Sequence, residues 1–315
     1  MKTIEELRAY YETDLLPTLT VLDRARKKVL LELFVGIVIS VIAPIIALYF
    51  SFGSVVLMAI CFPVWIGVII YLSISTGKYK KSFKVGIIEQ IVRAIDPNLS
   101  YDASKAVNKS HFTHSELFKK SWNEYKGDDY VQGMVGKTSL EFSEVHAQHV
   151  STDSEGRRQA STVFKGLFLV ADFNKSFQGK TFVLPDTAEK LFGSIGSMLQ
   201  SWNAARGELV KMEDVAFEKE FVVYGDDQIE ARYILSTSLM ERILAYKKKS
   251  NRPVRLSFIG NNVHVAISYK KSLFEPRIFR SLLNFRPIQE YFEDLSLAID
   301  LVEDLNLNTR IWTKD

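Results

Sequence analysis

Apolar positions run without a charged residue from Leu33 to Phe52 and again from Ser54 to Ile74, with little more than Gly53 between them. Each run reaches the roughly 20 residues a helix needs to cross the hydrocarbon layer of a bilayer, and a helix satisfies its own backbone hydrogen bonds there. The pattern predicts a transmembrane hairpin. Basic residues crowd both outer flanks, Arg24, Arg26, Lys27 and Lys28 before the first run and Lys78, Lys80, Lys81 and Lys84 after the second. Positive flanks stay on the cytoplasmic side, so both termini are expected there. The first run starts too late and is too long for a cleaved signal peptide. Glu32 is read as an interfacial residue, and Pro44 and Pro63 as mid-span prolines that release a carbonyl each.

Outside the hairpin the periodicity divides the chain into helical and alternating stretches. Ile4 to Lys28 carries Ile4, Leu7, Tyr11, Leu15, Leu16, Leu19 and Leu22 at three- and four-residue steps, with Pro17 placed to kink or split the helix. Tyr79 to Ile95 repeats that pattern with Phe83, Ile87, Ile88, Ile91 and Ile95, and stops at the turn Asp96-Pro97-Asn98. A short helix is predicted over Ser115 to Tyr125.

From Tyr130 the period becomes two. Strands are predicted over Tyr130–Val135, Thr138–Val150, Thr162–Asp172, Thr181–Leu184, Leu209–Met212, Phe221–Tyr224, Val254–Ile259 and Val263–Tyr269, the last two forming a hairpin around Gly260, Asn261 and Asn262. Interspersed helices are predicted over Thr187–Gln200 and Ser238–Lys249, the second with Ser238 and Glu241 at capping-box spacing. Ile288 to Leu305 closes the chain as an acidic amphipathic helix with Tyr291, Leu295, Ile299 and Val302 inward. Short turns favour antiparallel pairing, and the order of elements suggests an α+β fold. The expected organisation is an amphipathic helix (1–28), the hairpin (29–75), a helical connector (76–128) and a cytoplasmic α+β domain (129–315) of mostly antiparallel sheet.

Composition narrows the chemistry. The single cysteine, Cys61, falls in the second span, which excludes a disulfide framework and a cysteine zinc site. A net charge of +3 is too small to imply nucleic acid. Charge distribution says more. Lys247, Lys248, Lys249, Arg252, Arg255, Lys270 and Lys271 lie in a strongly basic stretch, whereas Ile288 to Asp304 is acidic without a base. Together with Lys78, Lys80, Lys81 and Lys84 these cations form a candidate anionic-lipid surface. The alternative is that the acidic terminal helix packs across the basic stretch.

His111 and His114 share a His-x-x-His spacing, as do His146 and His149. The second pair falls on an alternating strand, where positions three apart face opposite sides. The predicted helix begins only after His114, so no metal and no cofactor is expected, with a composite zinc site as the alternative. The densest polar cluster is Asp226, Asp227, Glu230 and Arg232, which suits a ligand or partner surface. It equally suits a turn and helix start in which Asp caps free amides and Arg232 pairs with an acid. Asp172, Asn174 and Lys175 form a second candidate edge, which an Asx turn also explains. Gly193 and Gly196 lack a following Lys-Ser or Lys-Thr, and no nucleophile elbow is present.

The run Phe164-Lys-Gly-Leu-Phe-Leu-Val-Ala-Asp-Phe-Asn-Lys175 and its continuation to Asp186, with Phe217 to Leu235 and Leu239 to Arg242, resembles the bacterial DUF3137 family. The basic flank, hairpin and Asp96-Pro97 turn resemble its layout. The resemblance implies an inner-membrane protein without an assigned reaction or cofactor, and a LemA-type membrane protein as a partner. The expected function is a membrane-anchored cytoplasmic domain that binds a protein partner or anionic headgroups. Two alternatives stand beside it. One is a membrane-tethered metal-dependent hydrolase using Asp226, Asp227 or the histidines. The other is a channel or transporter subunit, which requires a homo-oligomer because two spans cannot enclose a pathway.

Overall fold

The computed structural model describes residues 4–49, 54–172, 177–186 and 207–304. Gly53, Asn174, Lys175, Gly193, Gly196 and the helix expected over Thr187–Gln200 lie outside the described residues. The chain divides into two compact units, Met1–Ile91 with Phe274–Phe292, and Val92–Leu273 with Glu293–Asp315.

The first unit is helical. Helix α1 (Ile4–Tyr10) passes through a π turn (Tyr11–Leu15) into α2 (Leu16–Tyr49). Pro17 explains the turn, because its ring crowds the carbonyl one turn back and it has no N–H to donate. The wider turn shifts the bonding, and Leu16 N–H donates to Tyr11 O. Helix α3 (Ser54–Phe83) runs through a second π turn (Lys84–Ile88) into α4 (Glu89–Ile95), so the second apolar run and the predicted Tyr79–Ile95 helix are continuous. The predicted stripes are buried: Leu7, Tyr11, Leu15, Leu19 and Leu22 on one side, Phe83, Ile87, Ile88 and Ile91 on the other.

Residues 274–292 complete this unit. The Tyr11 ring meets Phe285 edge-on at 5.4 Å, and Phe83 meets Tyr291 at 5.7 Å. A buried Asp23–Arg26 pair (2.8 Å) ties the segment down, with Arg26 donating to Ile278 O (3.1 Å) and Leu282 N–H donating to Asp23 (3.3 Å). Lys80 and the buried Lys84 both reach Glu275, at 2.8 and 3.2 Å. Burial pushes the Glu275 carboxyl up, but Lys80 and Lys84 outweigh it and hold it below the usual glutamate range.

Within the hairpin, Pro44 leaves Ser40 O without its usual donor four residues on. The Trp65 indole N–H of α3 supplies one at 3.2 Å. Glu32 accepts from Tyr71 Oη (3.0 Å) and from Ser75, bonds made across the helix pair.

Among the described residues, the second unit is built on one nine-stranded antiparallel sheet in the order β1-β2-β3-β4-β9-β8-β5-β7-β6. Its strands are β1 (Leu99–Asp102), β2 (Glu124–Val135), β3 (Thr138–Thr152), β4 (Arg158–Asp172), β5 (Lys180–Pro185), β6 (Glu208–Val210), β7 (Phe221–Gly225), β8 (Val254–Ile259) and β9 (Asn262–Ser268). The α+β class and antiparallel pairing expected from the sequence are observed. Helices α5 (Lys109–His114), α6 (Val215–Glu218), α7 (Gln228–Ile234) and α8 (Thr237–Ser250) are interspersed, and α9 (Phe285–Asp304) follows the sheet in sequence.

Several elements differ from expectation. The helix expected over Ser115–Tyr125 does not form; Glu116 has φ of 51° and β2 already begins at Glu124. Phe118, Trp122 and Tyr125 have helical spacing, yet all three pack against the buried aromatic cluster around Phe112 from a chain that is not helical. Helix α8 is capped by Ser236, whose side chain accepts from Leu239 N–H, two residues ahead of the expected Ser238 cap. Strand β1 and helix α5 have no counterpart in the sequence pattern, both being too short to show a period.

The Ser40–Trp65 contact generates a test in a double-mutant cycle. Trp65→Phe is expected to destabilise the folded hairpin in bilayer-mimetic micelles by about 0.5–1.7 kcal/mol. The same change in a Pro44→Ala background is expected to cost less, because the introduced alanine returns a backbone donor to Ser40 O. Equal costs in both backgrounds refute the compensation.

Candidate functional site

The sheet register decides which polar side chains meet. Residues directly opposite one another across neighbouring strands share a face. The pairings Ser100↔Gln132, Gln132↔Glu141, Glu141↔Val170, Val170↔His264 and His264↔Ser257 therefore draw one row across β1, β2, β3, β4, β9 and β8. Val170 belongs to the aromatic core cluster, so this is the face that α5 covers. The row is mostly polar, running from the exposed Ser100 and Gln132 to the buried His264 and Ser257.

Helix α5 is short and depends on its surroundings. Asn108 caps it by accepting from Ser110 N–H (2.9 Å), and Phe112 drives it onto the sheet, stacked on Phe118 (5.2 Å) and edge-on to Phe168 (5.2 Å). The chain before it is pinned through Val107, whose N–H donates to Ser143 Oγ (2.9 Å) and whose carbonyl accepts from Tyr125 Oη (2.8 Å). His111 and His114 ride on the same turn. His111 Nε2 lies 3.4 Å from Glu141 Oε1, and the His114 ring centroid lies 5.9 Å from that of His264.

A cavity of about 460 Å³ opens beside this turn, lined by His111, Tyr130, Glu141, Asp172 and Asn262 among others. Tyr130 Oη donates to Glu141 Oε2 at 2.6 Å, and with burial and that carboxylate beside it the phenol is driven well above its ordinary range. His264 is fully buried at the level of the row. Burial, with His114 and His111 nearby, lowers its pKa to about 3, so the ring is neutral at physiological pH.

A second cluster arises from a β-bulge. The register of β2 against β3 shifts between Asp128 and Val131, and Asp129 there takes φ of 59°. The bulge brings ligand oxygens of Asp128, Asp129 and Glu144 within 4.8 Å of one another. Three converging carboxylates are a donor set of the kind hard divalent cations use. Tyr101 donates to Asp129, and Leu273 N–H donates to Glu144 at 2.7 Å. Burial raises the Glu144 carboxyl despite that amide, and Asp128 adds to the rise.

The sequence-predicted sites separate. Asp172 lines the cavity; Asn174 and Lys175 lie outside the described residues. Asp226, Asp227 and Glu230 spend their oxygens on backbone amides. Asp227 caps α7 through Ile229 N–H (2.7 Å), Asp226 accepts from Lys180 N–H (3.1 Å), and Glu230 accepts from Gln178 and Gly179 N–H (3.0 and 2.8 Å). Arg232 donates to Lys211 O and Gln228 Oε1 (both 3.3 Å) rather than to Asp226 or Glu230. That group braces the start of β5 and α7.

Among the basic residues, Lys247 pairs with Glu220, Lys249 with Asp300 (2.9 Å) and Arg252 with Asp294 (3.6 Å). Arg255 lies over the Phe118 ring at 5.3 Å and reaches Ser268 Oγ at 3.4 Å. The acidic helix thus does pack across part of the basic stretch. Lys78, Lys81, Lys248, Lys270 and Lys271 are exposed. His146 and His149 are engaged separately, with Thr162 and Ser121 at 3.1 Å each.

Glu141, Tyr130 and His264 escaped sequence reasoning. Each stands in an unremarkable strand pattern, and only the pairing of β1 through β4 with β9 brings them together.

The architecture defines a class: an antiparallel α+β sheet unit in a chain that also carries two helices long and apolar enough to cross a membrane. Residues 162–307 match the model of the family described as "Protein of unknown function (DUF3137)". No curated protein matches the chain. Among solved structures, the chain is similar to the crystal structure of the mycobacterial trehalose monomycolate transport factor A, TtfA, at 8% identity and a TM-score of 0.31, covering 69% of this chain and 96% of that one.

The carboxylate cluster has a signed pH consequence. Because Glu144 binds its proton more tightly folded than unfolded, its contribution to stability falls as pH rises from the ordinary glutamate range through its raised folded pKa. Glu144→Gln keeps an acceptor for Leu273 N–H and removes the charge. Thermal unfolding at pH 7 should show the variant at least as stable as the parent, with that relative advantage lost near pH 4. A variant markedly less stable at pH 7 contradicts this account.

Proposed function

We propose that this chain is a membrane-anchored binding protein whose hairpin crosses an inner (plasma) membrane twice, with both termini in the cytoplasm. The carrying observation is the apolar surface of α2 and α3, where Phe34, Ile37, Ile45, Phe62 and Ile69 are each about 60% exposed. Exposed apolar patches of this extent mark a lipid or partner surface. Orientation follows from the flanks, where Arg24, Lys27, Lys28, Lys78 and Lys81 remain as exposed cations.

The binding site in this reading is the cavity at the β1–β4 end of the sheet. Its lining, among the described residues, includes Glu141 and Asp172 and no lysine or arginine. Tyr130, Gln132 and Asn262 add further polar groups. Such a wall favours a cationic or donor-rich group, as on a basic segment of a protein partner. That fits a LemA-type or other membrane protein better than an anionic headgroup. Lys247, Lys249, Arg252 and Arg255 are occupied within the protein, which leaves the headgroup reading only the scattered exposed lysines. The spans 33–52 and 54–74 contain no charged residue, which disfavours an ion path. The hydrolase reading loses Asp226 and Asp227 to amide bonding.

Two measurements check the proposal. Carbonate washing of membranes holding the full chain should leave it in the pellet; release into the supernatant refutes the anchor. A photo-crosslinking residue at Met134, exposed on the cavity wall, should capture a protein in native membranes, and capture should drop at least tenfold in Glu141→Gln with Asp172→Asn. Undiminished capture in that variant refutes the cavity as the binding site.

A further inference from the structure

Residues 274–292 leave one large apolar side chain bare at a turn. Arg280 N–H donates to Arg277 O at 3.2 Å, which puts Ile278 and Phe279 at the corner, and Phe279 is 82% exposed. Turn corners ordinarily carry Gly, Pro, Asn, Asp or Ser, so an uncovered phenylalanine there is out of place in water. Leu283, close behind it, is also exposed. From Arg277 to Arg286 the chain holds three arginines and no acid. Arg280 is exposed, whereas Arg277 and Arg286 share Glu290.

The contacts of this segment with the hairpin set its height. Glu275 is held by Lys80 and Lys84, Ile278 O accepts from Arg26, Leu282 N–H donates to Asp23, and Phe285 meets Tyr11. Lys80 lies six residues past Ile74 and Arg26 seven before Leu33, which at about 1.5 Å per residue is roughly 9–11 Å from the ends of the apolar runs. Asp23 is about 15 Å away on the same scale, and Tyr11 roughly twice that. The stretch from Glu275 to Phe279 is therefore the end of the segment nearest those runs. The headgroup layer outside the hydrocarbon core is about 5–8 Å deep, within reach of a phenylalanine side chain carried at this height.

We propose that the Arg277–Arg280 turn is a second membrane contact, in which Phe279 enters the headgroup layer of the bilayer spanned by the hairpin and Arg280 pairs with the phosphate of an anionic phospholipid. The inference rests on the membrane reading of α2 and α3. Exposed apolar groups at the membrane–water boundary gain by leaving water, while arginine keeps its charged head at the phosphates. A guanidinium also binds phosphate through paired hydrogen bonds. Charge complementarity selects the anionic lipid. Arg24, Lys27 and Lys28 are exposed on the stretch of α2 to which the turn is tied, and the acids nearest the turn, Glu275 and Glu290, are each paired with two cations. The contact involves neither the cavity nor the partner proposed for it.

The test places an NBD fluorophore at Phe279→Cys, with Ile45→Cys and Glu12→Cys as references, in the full Cys61→Ser chain in nanodiscs of phosphatidylcholine with phosphatidylglycerol. Lipids with a nitroxide on the headgroup should quench the Phe279 site at least twofold, and more than lipids with the nitroxide deep in the acyl chain. Ile45 should show the reverse order, and Glu12 no quenching. Omitting phosphatidylglycerol, or adding Arg280→Glu, should cut the headgroup quenching at Phe279 at least twofold and leave Ile45 unchanged. An unquenched Phe279 beside a quenched Ile45 overturns the second contact and leaves the hairpin reading standing; both unquenched overturns the two together. Quenching at Phe279 indifferent to phosphatidylglycerol and to Arg280→Glu overturns the assignment to anionic lipid. Blue-shifted emission from Phe279 that neither nitroxide reaches assigns the turn to a protein contact and overturns the proposal.

Discussion

Large apolar side chains on α2 and α3 stand uncovered among the described residues, and that constraint governs the whole chain. Exposing one such side chain to water costs about 1.5–3 kcal/mol. At about 60% exposure each, Phe34, Ile37, Ile45, Phe62 and Ile69 alone represent roughly 4–9 kcal/mol, comparable to a domain's net stability. An apolar surrounding, such as the proposed bilayer, relieves that cost. The hairpin's polar details fit such a surrounding: Trp65 covers the carbonyl that Pro44 releases, and Glu32 is bonded by Tyr71 rather than left bare.

The sheet unit solves a different problem, which is to carry a row of polar groups from its exposed edge at Ser100 and Gln132 to the buried His264 and Ser257. It does so with a short helix whose Phe112 is clamped among Phe118, Trp122, Tyr125, Phe164 and Phe168. Helix α5 is too short to be stable alone. Its two histidines are positioned by aromatic packing and by the Val107 anchors. A site of this kind is sensitive to residues that touch no ligand, because loosening Phe112 would shift His111 and His114 together.

Much of the fold was legible in the sequence, and the reason differs by element. The hairpin and long strands announced themselves because a pattern repeats over many residues: β3 and β4 run for fifteen residues each, and the buried stripe from Leu7 to Leu22 is continuous. Helix α5 and strand β1 were hidden because six and four residues carry no readable period. The Ser115–Tyr125 stretch misled because three aromatics at helical spacing were satisfied by tertiary packing instead. The site was the least legible part. Asp226 and Asp227 stood out as a cluster yet serve the backbone, whereas Glu141 and His264 are single polar residues in largely apolar strands, joined only by long-range register.

The most direct test of the central claim is spin-label accessibility on the full chain in lipid bilayers, in a Cys61→Ser background. Labels at Ile37, Ile45 and Ile69 should collide with oxygen far more than with a water-soluble nickel complex, and labels at Lys248 and Lys270 should show the reverse. Equal nickel accessibility at all five positions would place α2 and α3 in water and contradict the account.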